Sequence, residues 1–505
     1  MQSNIEKYAY LTLVVIVGLL ILRLKTALPG SVDHFFPLSI SHDLLVTGGK
    51  FSDWVLMSAP RYFPDLLIVF IAKLLYGDII RVFLYSGIAL LILQMATIYF
   101  LSYMVSGTRR IGIAVAAGYI AFSSFYGGNL FVADIPWHSG SFAIIILVLG
   151  LVLAGIRFPS KLRSVSFGII CLGSLVVASD FIAIPFLLAG TSTSFFVVTM
   201  YHKRLPKSEE WLLVSSVIIS VVFGVILYYL VTPNYFINPL WAGNFSLRKL
   251  LVPSAVFDAL VGTFFSIFTR ENMFLVGAAI GILTLIIYRS DKKVFMGILF
   301  FLTFVLTNAL ANEFLIEFGA WNTDSYRIFS LNGLSLLFAL CLGLIANKYH
   351  WGVTGFMSVI AVILLINTQA NTEPVNKEVV QNYSNASCIA EAIQEESLQV
   401  GVTGLGTGQL LLAISGHRLN LIQIQGVRKT KLNALVPIVE SNEIDYLVSI
   451  DTNIDMKPYS GAWMTIFTTK AAEEMFGNAD RQIECGNYRL HIFENPIDFH
   501  NTMSN

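Results

Sequence analysis

Eleven apolar runs, most of them 16–26 residues long, dominate the chain and restrict what it can fold into. A span needs about 20 apolar residues to cross the hydrocarbon core. The runs lie near 8–26, 80–105, 111–126, 139–157, 164–179, 182–201, 211–232, 273–288, 294–311, 328–347 and 352–369. Only 13% of the residues are charged, against roughly 25% in soluble domains, and mean hydropathy is +0.71. A membrane barrel would show alternating segments of about ten residues instead. The pattern predicts a polytopic α-helical membrane protein of about eleven transmembrane helices. No small-residue cleavage site follows the first run, which is expected to be retained as a helix. Net charge is zero and the pI about 7.1, which gives no footing for a nucleic-acid partner.

Lys and Arg concentrate in alternate short loops: "GTRR" (107–110), "RFPSKLR" (157–163), "HKRLPK" (202–207), "YRSDKKV" (288–294) and "NKYH" (347–350). Cytoplasmic loops hold the excess of these residues. The N-terminus is therefore expected inside and, with an odd span count, the C-terminus outside. The outer side then carries the longer loops 27–79, 127–138, 233–272 and 312–327. Within them "PDLLIVFIAKLLYG" (64–77) and "VPSAVFDALVGTFFSIF" (252–268) read as interfacial helices, too short or too amphipathic to cross.

Composition changes after residue 370, dividing the chain into a membrane module, 1–370, and an outer α/β domain, 371–505. "SLQVGVTGLG" and "EIDYLVSID" look like strands, and "VRKTKLNALVPIVESN" like a helix. "GVTGLGTGQ" (401–409) is rich in glycine but is not GxGxxG, and reads as a tight turn into a helix. Cys171 and Cys341 lie in spans, where Cys acts as a small apolar residue. Cys388 and Cys485 bracket the outer domain, where an oxidising compartment favours a disulfide. Two free buried thiols are the alternative. No Cys/His spacing calls for a metal.

Ionisable residues gather at the outer span ends. The first loop has Asp33, His34, His42, Asp43, Asp53, Arg61 and Asp65. Beyond it lie Asp134, Trp137, His138 and Asp180, then Glu313, Glu317, Asp324, Tyr326 and Arg327. Any one of these could be a solvated end residue, but together they resemble the rim of a cavity.

The first loop, "VDHFFPLSISHDLLVTGGKFSDWVLMSAPRYFPDLLIVF", resembles the first outer loop of GT-C glycosyltransferases, multispan enzymes that take sugars from lipid phosphates. The likeness rests on Asp33, Asp43-Leu44, Trp54 and Pro60 through Asp65, with "IPWHSGSFAIIIL", "ASDFIAIPF", "DSYRIFSL" and the tail "CGNYRLHIFENP" fitting the same pattern. Protein O-mannosyltransferases and aminoarabinose transferases often place Asp-Glu where this chain has Asp33-His34. The resemblance implies an inverting transferase that moves a sugar from a polyprenyl-phosphate donor to a cell-surface glycan or glycolipid such as O-antigen. It implies a bacterial inner membrane, with the C-terminal domain periplasmic, and membrane lipids as further partners. Asp33 and Asp43 are the expected catalytic residues, Asp33 as general base. Arg327, Tyr326, Asp324, His138, Asp180, Arg61 and Asp65 are the expected contacts to donor and lipid phosphate. No cofactor is required, although the carboxylates could hold a divalent cation. The alternatives are a transporter or flippase for lipid-linked saccharides, which predicts charges within spans and related halves, or a polymerase with its large outer loop between spans.

Overall fold

The computed structural model describes residues 32–47, 50, 62–77, 79–127, 139–181, 183–203, 207–231, 252–269, 272–317, 327–349, 377–415, 419–424, 443–451 and 468–498. The expected spans 8–26 and 352–369, and the expected helix in 427–442, lie outside these residues.

The chain begins, as described, with helix α1 (Val32–His42), a wide turn at Asp43–Thr47, a second at Tyr62–Leu66, and α2 (Leu67–Leu75). The bundle follows: α3 (Ile79–Ser106), α4 (Arg109–Gly127), α5 (Ser139–Arg157), α6 (Leu162–Ser179), α7 (Thr191–Tyr201) and α8 (Ser208–Val231). It continues with α9 (Pro253–Thr269), α10 (Asn272–Ile287), α11 (Lys292–Glu317) and α12 (Arg327–Lys348). Nine of these helices coincide with expected spans. Seven helices among the described residues are long and apolar enough to cross a membrane, and the helix at Phe274–Ile287 is shorter. This is a multi-pass membrane protein.

Small residues set the packing, because lipid offers no hydrophobic drive for helices to associate. On α8, a Cβ at Gly224 would stand 2.8 Å from the Ser174 carbonyl of α6 and 2.7 Å from Val177 Cγ1. Gly173 of α6 sits in turn against Ser220 of α8. The two backbones therefore approach as closely as glycine permits. Elsewhere α5 packs on α3 and α6, α4 on α12, and α11 on α12 and α7.

Two helices are too short or too lipid-facing to be ordinary spans. In α2 the buried residues are Val69 and Ala72, whereas Leu67, Ile71, Leu74 and Leu75 are exposed. In α9, Ala259, Thr263 and Ser266 are buried, while Phe257 and Leu260 face outward. Each buries one stripe on the protein and leaves apolar residues exposed on the other.

The C-terminal part opens with α13 (Lys377–Glu395). A five-stranded sheet follows: β1 (Val400–Gly404), β2 (Asn420–Ile424), β3 (Glu443–Ile450), β4 (Arg481–Cys485) and β5 (Tyr488–Asp498). Strand order is β2-β1-β3-β5-β4. The first three strands are parallel, and β5 runs antiparallel to both β3 and β4. Helix α14 (Leu405–Ser415) starts where β1 ends, so the glycine-rich stretch is a strand-to-helix turn. Side chains alternate across the sheet: Val448 and Leu490 face α13 and α14, while Leu447 and Phe493 face α15 (Thr469–Phe476).

Cys388 of α13 is bonded to Cys485 of β4, with Cα atoms 5.9 Å apart and a sequence separation of 97. On the chain-entropy view, closing so long a loop stabilises by about 4–5 kcal/mol. Two neighbours reinforce the same seam. Asn385 Nδ2 donates to Asn487 Oδ1 at 2.7 Å, and Arg481 grips Glu396 through two bonds of 3.0 and 2.8 Å. That grip holds the Glu396 carboxyl below its usual range.

Candidate functional site

Four of the motif patches, far apart in sequence, meet at one end of the bundle. The first is the turn Tyr62–Leu66, which carries "YFPD". Asp65 within it is wholly buried. Its carboxylate lies against Gly140, in the first turn of α5. A Cβ there would stand 2.5 Å from Oδ2 and 2.7 Å from Oδ1, with Pro64 Cγ also at 2.7 Å. Only glycine admits this approach. A helix N-terminus carries partial positive charge from its free N–H groups, so it favours an anion at that position. The second patch, "IPWHSGSF", thus supplies the seat for the Asp65 carboxylate.

The third patch is "ASDF". The Phe63 N–H donates to Ser179 Oγ at 2.9 Å, and Ser179 Oγ donates to the Leu175 carbonyl at 2.7 Å. Asp180, the residue that ends α6, is 2% exposed, and its N–H donates to Val176 O. Two buried carboxylates, Asp65 and Asp180, therefore flank one hydrogen-bonded seam. The isolated Born cost of burying such charges is large, so this end of the bundle is built to hold ionised or hydrogen-bonding groups.

The fourth patch reaches the same end through α11. Asn308 Nδ2 of α11 donates to the Phe186 carbonyl at 3.3 Å, six residues beyond Asp180. On its other side, Val305 lies 3.6 Å from where a Cβ of Gly333 would be, six residues beyond Arg327. Both α7 and α12 run antiparallel to α11, so the Ser179–Asp180 turn and the start of α12 stand at the end where α11 finishes. Arg327 is the first residue of α12.

Helix α1 packs on the Tyr62–Leu66 turn and on α2. Asp33 lies in its first turn, and Asp43 begins the wide turn that ends it. Ten residues of helix rise about 15 Å. Asp33 and Asp43, the two expected catalytic residues, thus stand near opposite ends of one helix. Within the stretch 27–79 expected as the first outer loop, residues 32–42 form a helix containing Pro37.

Of the remaining expected residues, Arg61, His138, Asp324 and Tyr326 lie outside the described residues, as do Trp54 and Asp134. Asp65, Asp180 and the backbone of Arg327 are brought to the same end. The sequence reading underweighted α11. It ends that span at 311, whereas the helix continues to Glu317 and carries a buried polar line of Asn308, Asn312 and Glu313, 3%, 1% and 1% exposed. An ionisable residue inside an apolar run is itself the signal that could have found Glu313. Glu317 reaches sideways instead: Ser266 Oγ of α9 donates to its Oε1 at 3.1 Å. Among the described residues, no group of three His, Cys, Asp or Glu side chains is close enough to hold a metal ion.

In the sheet, His491 Nε2 and Ser449 Oγ lie 2.8 Å apart, and Ser449 Oγ is 3.0 Å from Thr469 Oγ1. Burial, with help from Arg489, holds His491 below its ordinary range. It is a buried histidine of the sheet domain.

No family model matches the chain, and no curated protein matches it. Solved structures do. ArnT from Cupriavidus metallidurans bound to undecaprenyl phosphate is 13% identical, with 82% of this chain and 86% of that one covered at a TM-score of 0.55. The apo form of the same protein is 12% identical, covering 83% and 86%, at 0.54. An Archaeoglobus fulgidus oligosaccharyltransferase tethered with an acceptor peptide follows at 13% identity, covering 88% and 69%, at 0.46. At these identities the ArnT likeness is one of fold.

Proposed function

We propose that this GT-C-fold membrane protein is an inverting glycosyltransferase that draws its sugar from a polyprenyl-phosphate donor. The acceptor is a hydroxyl of a cell-surface glycan or glycolipid, such as O-antigen, and transfer takes place on the outer face of a bacterial inner membrane. The observation that carries the reading is the convergence of Asp65, the start of α5, the Ser179–Asp180 turn and the start of α12 at one end of the bundle. The ArnT structure with undecaprenyl phosphate supports a polyprenyl phosphate as the lipid.

The reaction needs three things at one depth. A base takes the acceptor hydroxyl's proton, the freed oxygen attacks the anomeric carbon, and the bond from that carbon to the phosphate oxygen breaks. The polyprenyl phosphate leaves as an anion. Asp33 is the base, a role that supplies roughly 10²–10⁴-fold. Arg327 grips the phosphate, because a planar guanidinium matches phosphate oxygens in pairs. Tyr326, Asp324, His138 and Arg61 line the donor, and Asp65 and Asp180 fix the loops that carry them. Asp43, about 15 Å along α1 from Asp33, orients the loop. The bare apolar stripe of α2 lies beside the isoprenoid tail.

The test uses purified full-length protein in lipid nanodiscs with polyprenyl-phosphate sugars, reading the release of polyprenyl phosphate. Mass spectrometry of surface glycans from cells with and without the gene identifies the acceptor. Asp33→Asn is expected to lower turnover by at least about 10²-fold with folding and donor binding retained. Near-normal turnover in that variant removes Asp33 from the mechanism and shifts the role to Asp43. Passage of the intact lipid-linked sugar across the bilayer, with no bond broken, would replace the transferase with a flippase.

A further inference from the structure

The sheet and the membrane helices do not meet through polar loops. Leu38 of α1, Val69 of α2 and Val82 of α3 belong to one continuous apolar core with Ile389 of α13 and Leu411 and Leu412 of α14. Helix α14 packs directly on α1. Leu38 is 3% exposed, and Leu411 and Leu412 are fully buried. Contacts between domains of one chain are ordinarily more polar than this and leave the domains free to move. Here the seam is apolar.

An eleven-residue helix is marginal by itself in water, and α1 also contains Pro37. Its position is therefore set by what packs against it. It packs on α2, on the Tyr62–Leu66 turn and on α14. Behind α14 lies α13, and α13 is tied to β4 by the Cys388–Cys485 bond. The support is thus continuous from the β4–β5 hairpin through α13 and α14 to α1.

We propose that the C-terminal sheet domain is the buttress of the catalytic helix, with Leu411 and Leu38 as positioning residues that hold Asp33 at its working place. This rests on the reading of Asp33 as general base. A base displaced by about 1 Å loses about 10²-fold in rate, while the donor, gripped at the start of α12, is held as before. The Cys388–Cys485 bond acts on turnover through the same line of contacts, although it lies outside the transfer site.

Full-length protein in nanodiscs tests this by two readouts. Hydrogen-exchange mass spectrometry of Leu411→Ala should show exchange across 32–42 accelerated by about tenfold or more, with 292–317 unchanged. Turnover per folded molecule should fall by about tenfold or more, with KM for the lipid donor held within about twofold, and Leu411→Met should restore both. Leu38→Ala, on the α1 side of the same core, should reproduce the pattern should Leu411→Ala fail to fold. Wild-type exchange over 32–42 in the folded variants overturns the buttress. So does a loss of turnover that appears entirely as a weaker KM. Faster exchange in the variants, in a protein whose wild type transfers no sugar, retains the buttress and overturns the transferase reading instead.

Discussion

Gly140→Ala sets two well-known effects against each other, and the geometry decides between them. At an ordinary helical site the change removes backbone freedom and stabilises by up to about 1 kcal/mol. Here the new methyl would stand 2.5 and 2.7 Å from the two carboxylate oxygens of Asp65 and 2.7 Å from Pro64. Ordinary contact begins at 3.4 Å, so the intrusion is about 0.9 Å. A flexible side-chain tip could yield. A fully buried carboxylate next to a proline ring, on a turn pinned by the Phe63 N–H to Ser179, has little room. Overpacking of this kind costs about 1–3 kcal/mol, so the net change is destabilising by roughly 0–2 kcal/mol. The larger effect falls on activity. Moving the Tyr62–Leu66 turn by nearly an ångström shifts the Asp65 seat and the helix α1 packed on it, for a loss on the order of 10²-fold. The assay is turnover of polyprenyl-phosphate sugar in nanodiscs, alongside thermal unfolding of the same preparation. A Gly140→Ala protein that is more stable than wild type and fully active would refute the reasoning, since it would mean that Asp65 has space the structure denies it.

Arg327→Lys is expected to insert and fold normally, yet to lose most transfer and bind donor lipid more weakly, because an ammonium lacks the planar fork; wild-type turnover and affinity would leave Arg327 as a mere interfacial anchor. Peptide mapping under non-reducing conditions should recover Cys388 linked to Cys485, whereas two freely alkylated thiols in denatured, unreduced protein would contradict the bond. His491 has its folded pKa depressed by burial, so between the folded and unfolded values the unfolded chain binds the extra proton. Its contribution is full above the unfolded value of about 6.5 and declines as pH falls below it. The sheet domain should therefore unfold at lower temperature at pH 5.5 than at 7.5, and His491→Gln should flatten that dependence; an unchanged slope would assign it to another group.

The spans were legible because hydrocarbon leaves the chain little choice: nine of the eleven expected runs are helices, and the other two fall outside the described residues. The convergence of motif patches was not legible. Nothing in "YFPD" or "IPWHSG" announces that Gly140 is the floor beneath Asp65, since that depends on backbone approach between segments about 75 residues apart. Pro37 lies inside the helix at 32–42, where packing on α2 and α14 overrides the local cost of proline. The acids of "NEFLIE" suggested a loop, yet Glu313 is buried inside α11. In the tail, the polar stretch "KEVVQNYSNAS" forms much of α13, whose apolar face carries Ala386 and Ile389. The sequence reading passed over the β4–β5 hairpin, whose short strands turn at Gly486 with φ of 64°.

The shared core of α1 and α14 also fixes an order of events during synthesis. Leu38 leaves the ribosome roughly 370 residues before Leu411, an interval on the order of 20–70 s at typical elongation rates. Throughout that time α1 lacks its contact with α14. A nascent or prematurely terminated chain therefore inserts spans without this apolar seam, and α1 gains its contact with α14 only after the carboxyl-terminal part has been made.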